Sequence, residues 1–227
     1  MNRTIAMKKE LTITEENLNT LRGIVISEMS EKRAVHTLAV EKMAERLGNI
    51  YAPDKINSLR AAALLHDLTK EKKIGEQLEL CEQYSICVMP DDLCAPKTFH
   101  AKTAAAIVQN DSEYDEYANC DVISAVRWHT TGRRGMSICE KIIYLADYID
   151  DSRKFEDCVK LREYFWNGYS PELSESEKTD HLNDTLIMSY DMTIRNLLDE
   201  GKPVAKDTFD ARNELVCERL KAKKTKG

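Results

Sequence analysis

The 227-residue sequence predicts an all-α fold built as a single domain. Apolar residues recur at helical spacing over long stretches. No segment shows the strict alternation of a half-buried strand. Only eight Gly and five Pro punctuate the chain.

The elements follow in order. Residues 12–29 read as a first helix, with Thr14 as N-cap and Glu15 and Glu16 in its first turn. Residues 30–49 read as a second, capped by Ser30 and ended by Gly48-Asn49. A third runs over 52–73 with Pro53 near its start, and Gly75 to Phe99 reads as a looser connection carrying Pro90 and Pro96. Helices follow at 100–110 and 120–130. The next, 137–151, opens with Ser137 and Glu140 at capping-box spacing. The polar run 166–180 reads as an exposed loop. The last two helices span 180–203 and 207–222, separated by a Gly201/Pro203 stop.

Composition narrows the function. A net charge of -6 argues against broad nucleic-acid binding; only the tail "RLKAKKTKG" is basic, and it reads as a frayed terminus. No apolar run approaches the roughly 20 residues needed to cross a bilayer, and the start lacks a signal-peptide pattern. The expectation is a cytoplasmic chain without a membrane partner. Seven Cys, with no C-x-x-C pair, read as reduced structural thiols; Cys81, Cys87 and Cys94 lack the spacing of common zinc motifs.

The chemistry begins at "RAAALLHDLTKE". His66 and Asp67 end an apolar run, where an unpaired carboxylate would be costly to bury. An ion removes that cost by binding carboxylate oxygen and imidazole nitrogen together. His36 lies on a helical stripe with Val40, Met43 and Leu47, and Asp147 sits inside "IIYLADYI". His36, His66, Asp67 and Asp147 supply two nitrogens and two oxygens, a set suited to iron, manganese, cobalt or zinc rather than magnesium. His100 and His129 stand at helix boundaries in the same span, whereas His181 reads as a surface residue. Arg33, Lys70, Arg133 and Arg153 lie near these motifs and point to an anionic, phosphorylated substrate; Arg134 reads as surface charge.

The order His36, His66-Asp67, Asp147 resembles the HD-domain metal-dependent phosphohydrolases. "KRAVHTLAV", "LLHDLTKE", "FHA", "WHTTGRRGMSICEKIIYLADYID" and "DSR" are more specifically similar to the YqeK family of bacterial symmetrical dinucleoside tetraphosphate hydrolases. The resemblance runs over nearly the whole chain. It implies one HD domain over 1–227, with its core at 31–153 and the N-terminal and C-terminal helices packed on it. It implies hydrolysis of diadenosine tetraphosphate to two ADP, with one or two iron ions as cofactor. By motif match, His36, His66, Asp67 and Asp147 would ligate metal, and His100 and His129 would hold a second ion or phosphates. Arg33, Lys70, Thr130, Thr131 and Arg153 would contact nucleotide or phosphate. Asp67, Lys70, His100 and His129 would carry catalysis, and Asp67 and Asp147 would also face substrate. The partner would be a dinucleoside polyphosphate or ADP, with a homodimer allowed. Thr69 departs from the small apolar residue common there, a difference expected to matter little, and the 166–180 loop looks longer than usual. Another HD nucleotide phosphohydrolase, or a non-catalytic nucleotide-binding sensor, is the alternative.

Overall fold

The computed structural model describes residues 12–225, all helix and connection, with no strand among them. The first eleven residues, on which the leader reading rests, lie outside this range. Ten α-helices follow one another: α1 (Glu15–Ser27), α2 (Glu31–Tyr51), α3 (Ile56–Leu65), α4 (Ile74–Gln83), α5 (Phe99–Asn110), α6 (Cys120–Trp128), α7 (Ile138–Ile149), α8 (Glu156–Gly168), α9 (Glu175–Asp199) and α10 (Lys206–Thr225).

The expected caps form. Thr14, Ser30 and Ser137 each accept a backbone N–H at the start of α1, α2 and α7, and Glu140 closes the Ser137 box by accepting Ser137 N–H at 2.9 Å. Gly201, at φ 62, ends α9 in the left-handed conformation, and Lys202 N–H reaches back to the Leu197 carbonyl at 2.8 Å.

Five expectations are corrected. Gly48 does not end α2, which runs on to Tyr51. Gly48 instead lies buried where α3 comes close; a β-carbon there would stand 2.9 Å from a Leu59 methyl. The expected third helix is shorter: a 3-10 turn at Pro53–Lys55 precedes α3, which stops at Leu65. Within the expected loose connection, 74–83 is helical as α4, and Gln77 and Cys81 supply its buried positions. The 166–180 stretch is mostly helix, because α8 carries 166–168 and Ser174 caps α9 at Glu175 with a full capping box. Only 169–174 connects them. The basic tail is helical through Thr225 rather than frayed, while 226–227 fall outside the described residues.

α2 packs on α3 and α7, α3 on α6, and α6 on both α5 and α7. α1 lies on α3, and α9 bridges α8 and α10. One apolar cluster reaches from Leu18 and Leu21 on α1 to Ala211 and Leu215 on α10. Charged ties reinforce the frame: buried Glu41 on α2 accepts from Arg22 of α1 and Arg60 of α3. Glu71 caps α2 from outside, accepting Ser30 N–H at 2.9 Å and the Ser30 hydroxyl at 2.5 Å. That bond docks the segment after α3 onto the start of α2.

The α6–α7 connection depends on Gly132. It sits at φ 63, and a β-carbon would come within 2.0 Å of the buried Tyr190 hydroxyl. Gly132→Ala therefore incurs both left-handed strain and overpacking. It is expected to destabilise the fold by about 2–4 kcal/mol, read as a lowered denaturation midpoint at unchanged slope.

Candidate metal centre

Two histidines at helix ends use the same local device. At the end of α3, His66 Nδ1 lies 2.6 Å from the Ala63 carbonyl, the acceptor that Asp67 N–H would use if the helix continued. At the end of α6, His129 Nδ1 lies 2.7 Å from the Val126 carbonyl. A carbonyl only accepts, so in each ring Nδ1 carries the proton and Nε2 presents a lone pair to the interior. Asp67 follows the helix end rather than sharing a helix face with His66, and Lys70 N–H returns to the Asp67 carbonyl at 2.9 Å.

The remaining groups converge from other elements. His36 comes from α2, Asp147 from the last turn of α7, and His100 from the first turn of α5. His36 Nε2 lies 3.0 Å from Asp147 Oδ1 and 3.8 Å from Asp67 Oδ2. His66 Nε2 lies 3.4 Å from Asp67 Oδ2 and 3.8 Å from Asp147 Oδ1. On the other side, Asp67 Oδ1 lies 3.2 Å from His100 Nε2 and 3.7 Å from His129 Nε2, and the two imidazole nitrogens are 2.9 Å apart. One carboxylate thus faces two nests of donor atoms.

Cations surround the nests. Arg33 bonds Asp67, and Arg153 bonds both the carboxylate and the carbonyl of Asp147. Lys70 Nζ is 3.1 Å from His100 Nε2. Burial opposes ionisation of Asp67, but His66, His100 and His129 hold its carboxyl well below the usual carboxylate range. Burial likewise opposes ionisation of Asp147, and Arg153 with His36 outweighs it. Burial pushes His100 down to about 4 and lowers His129 and Lys70. Burial alone would lower His36 too, yet Asp147 and Asp150 carry it up to about 9.

Several buried atoms in this cluster make no hydrogen bond: His36 Nε2, His66 Nε2 and Asp67 Oδ1. These three atoms have the right chemistry for a divalent ion, imidazole nitrogen and carboxylate oxygen together. His36, His66 and Asp67 form one ion-sized group; His66, His129 and Asp147 a second; Asp67, His100 and His129 a third. The residues present fit a metal.

Some expected roles change. Thr130 Oγ1 faces the His100 and His129 Nε2 atoms at 3.3 and 3.2 Å, whereas the Thr131 hydroxyl is spent on the Gly132 carbonyl at 2.9 Å. Arg133 does not reach the centre: it bonds Glu140 at 3.0 Å and holds the α6–α7 connection. His181 is a half-buried α9 residue, bonded to the Phe165 carbonyl at 2.9 Å and stacked on the Phe165 ring. Thr69 matters more than expected, because its buried hydroxyl donates to the His100 carbonyl at 3.0 Å and meets the Thr103 hydroxyl at 2.7 Å. Two residues beside His36 were missed, Asp150 and Ser152. Their signal was a second acid and a hydroxyl in "ADYIDDSR", hidden among exposed-looking polar residues.

Residues 33–151 match the model of the HD domain. The chain is 33% identical over 199 residues to a symmetrical bis(5'-nucleosyl)-tetraphosphatase of Halalkalibacterium halodurans, covering 86% of this chain and 95% of the relative. The chain belongs to the YqeK family of HD-domain proteins. A Bacillus subtilis YqeK relative carrying the same description is 31% identical, with 85% of this chain and 94% of that one covered. A solved structure from Clostridium acetobutylicum, described as an HD superfamily hydrolase involved in NAD metabolism, superposes with a TM-score of 0.75 at 30% identity. It covers 88% of this chain and 97% of its own. The YqeK membership and the all-helical layout agree with the HD architecture expected from the motif order.

Two measurements test the centre. His66→Ala is expected to remove stoichiometric metal, read by elemental analysis of purified protein. Metal affinity should also depend on pH. A ligating His36 must be neutral at Nε2, so below about 9 binding expels its proton. Apparent affinity is then expected to rise with pH, by up to about tenfold per unit from this group, and to level off above that value.

Proposed function

We propose that this protein is a metal-dependent hydrolase that cleaves diadenosine tetraphosphate symmetrically into two ADP. One observation carries the reading: four inward-facing histidines and two carboxylates form adjoining nests that share Asp67, ringed by Arg33, Lys70 and Arg153. The descriptions of the Halalkalibacterium halodurans and Bacillus subtilis relatives support the substrate.

His36, His66, Asp67 and Asp147 would hold the ion, and iron is our assignment over manganese, cobalt or zinc. The bound ion would supply Lewis acidity toward phosphate oxygens and lower the pKa of a water. The second nest, His100 and His129 with Asp67, would take phosphate or a second ion. The chain's own groups divide the remaining work. Arg33 and Arg153 now neutralise the two carboxylates, and Arg33 Nε has no partner of its own. Their guanidiniums, with the Lys70 ammonium, offset the charge that develops on the reacting phosphate. Asp67 Oδ1, buried and without a hydrogen bond, would orient the attacking water, a carboxyl held well below the usual range being a weak base.

Burial keeps His100 and His129 neutral at pH 7, so neither is a proton donor of choice. A proton on His100 Nε2 would let that ring bond a phosphate oxygen alongside the Thr130 hydroxyl, whereas the bare His129 Nε2 would serve an ion. The leaving group tolerates this: water attacks an inner phosphorus, the bridging P–O bond breaks, and ADP departs as an anion whose terminal phosphate needs no proton, its second pKa lying near ~6.

Incubation of the metal-loaded protein with diadenosine tetraphosphate is expected to yield ADP as the sole nucleotide product. AMP with ATP would overturn the symmetrical assignment. Lys70→Ala is expected to cut kcat by about 10²–10³-fold while leaving metal content intact, which separates its role from that of the ligands.

A further inference from the structure

The buried pair Asp150 and Ser152 is unexplained by the groups above. Asp150 caps the C-terminal end of α7 and is fully buried. A carboxylate at that end opposes the helix dipole, and burial adds a desolvation cost. Its Oδ2 has no hydrogen-bond partner. Nothing about the termination of α7 requires an acid here, since the segment 150–154 is already tied by Arg162, which donates to the Ile149 and Asp150 carbonyls at 2.8 and 2.7 Å.

The hydrogen bonds show what the acid faces. Asp150 Oδ1 accepts Ser152 N–H at 2.8 Å and also the Ser152 hydroxyl. With its proton committed to Asp150, the Ser152 oxygen is an acceptor, and it stands 3.3 Å from His36 Nδ1. Asp150 Oδ2 is equally close to that nitrogen, at 3.3 Å. The run is therefore directional: His36 Nδ1–H to Ser152 Oγ, Ser152 O–H to Asp150. It keeps a proton on Nδ1, so that Nε2 is the nitrogen left for an ion on the side of Asp67 and Asp147.

We propose that Asp150 and Ser152 are positioning residues for the metal centre: they hold His36 in the tautomer and orientation that ligation through Nε2 needs. His66 and His129 obtain the same outcome from a backbone carbonyl three residues back. His36 is in the first turn and a half of α2, where the carbonyls before it are engaged by helical N–H groups, so an outside acceptor replaces the local one. A carboxylate behind the imidazole also raises the basicity of the ligating nitrogen. The inference rests on the metal-centre reading and assigns no contact between Asp150 and the ion.

Metal dissociation constants decide it, measured by chelator competition with Fe(II) and Co(II) on the full chain, together with the visible spectrum of the Co(II) form. Asp150→Asn keeps acceptors for Ser152 but loses the charge; Ser152→Ala breaks the run. Each is expected to weaken binding by about 10–100-fold and to alter the Co(II) spectrum, with an unchanged far-ultraviolet helix signal. Ser152→Thr, which keeps the hydroxyl, is expected to restore wild-type affinity and spectrum. Binding by both Asp150→Asn and Ser152→Ala within about twofold of wild type overturns the proposal. So does loss of binding in Asp150→Asn with full binding in Ser152→Ala, which would remove Ser152 from the run and leave Asp150 acting on His36 or on the ion without it. If Asp150→Asn fails to fold, the Ser152 pair alone decides by the same affinities. Failure of the wild-type chain to bind metal would instead sink the metal-centre reading itself.

Discussion

The structure is organised around the cost of burying Asp67. Its side chain is 2% exposed, and it lies against four imidazoles and one guanidinium rather than in water. A carboxylate removed from solvent without compensation would cost more than a domain of this size has to spare. Every neighbouring element answers that cost. α2 brings Arg33 and His36, the end of α3 brings His66, α5 brings His100, and the end of α6 brings His129. The helix packing then has a purpose beyond apolar burial: it carries five side chains to one carboxylate from four directions.

Two ways of fixing a ligand follow from where each histidine sits. A residue just past a helix end has a carbonyl within reach of its own imidazole, because the last turn leaves carbonyls without intrahelical partners. His66 and His129 exploit this and need no other element to set their tautomers. The same geometry explains why α3 stops early. Asp67 can leave the helix axis and expose both carboxylate oxygens only if the chain unwinds at that point, and the Glu71–Ser30 bond then pins the unwound segment to α2. Shortening of the helix and assembly of the centre are one event.

The four residues proposed as metal ligands stand out in the sequence because each breaks a pattern. His36 interrupts an apolar stripe, and Asp147 interrupts "IIYLADYI", so polar residues stand where burial is expected. The caps were legible for a related reason: Ser137 with Glu140 is a local signal needing no tertiary knowledge. What the sequence hid depends on distant partners. Arg133 looks like any cation near the motif until Glu140 is seen beneath it. Thr69 looks like a harmless replacement until its hydroxyl meets the His100 carbonyl, 31 residues away in the chain. The 166–180 run is polar because its helical parts are solvent-facing, and polarity alone does not separate an exposed helix from a loop.

An acidic chain that must bind a polyanion meets a problem of charge, and the placement of the cations bears on it. With a net charge of -6, long-range attraction for a tetraphosphate is absent. The compensation is short-range. Arg33 and Arg153 are held in advance by Asp67 and Asp147, and Lys70 by burial beside His100. Carboxylates that turn toward an ion loosen their hold on these guanidiniums at the same moment, freeing donors already aimed at the site. A phosphate arriving then meets preorganised cations at no further cost in side-chain entropy. On the proposed assignment the ion and the substrate would be coupled through Asp67 and Asp147, because the carboxylates that would hold the metal are the same ones that now hold Arg33 and Arg153.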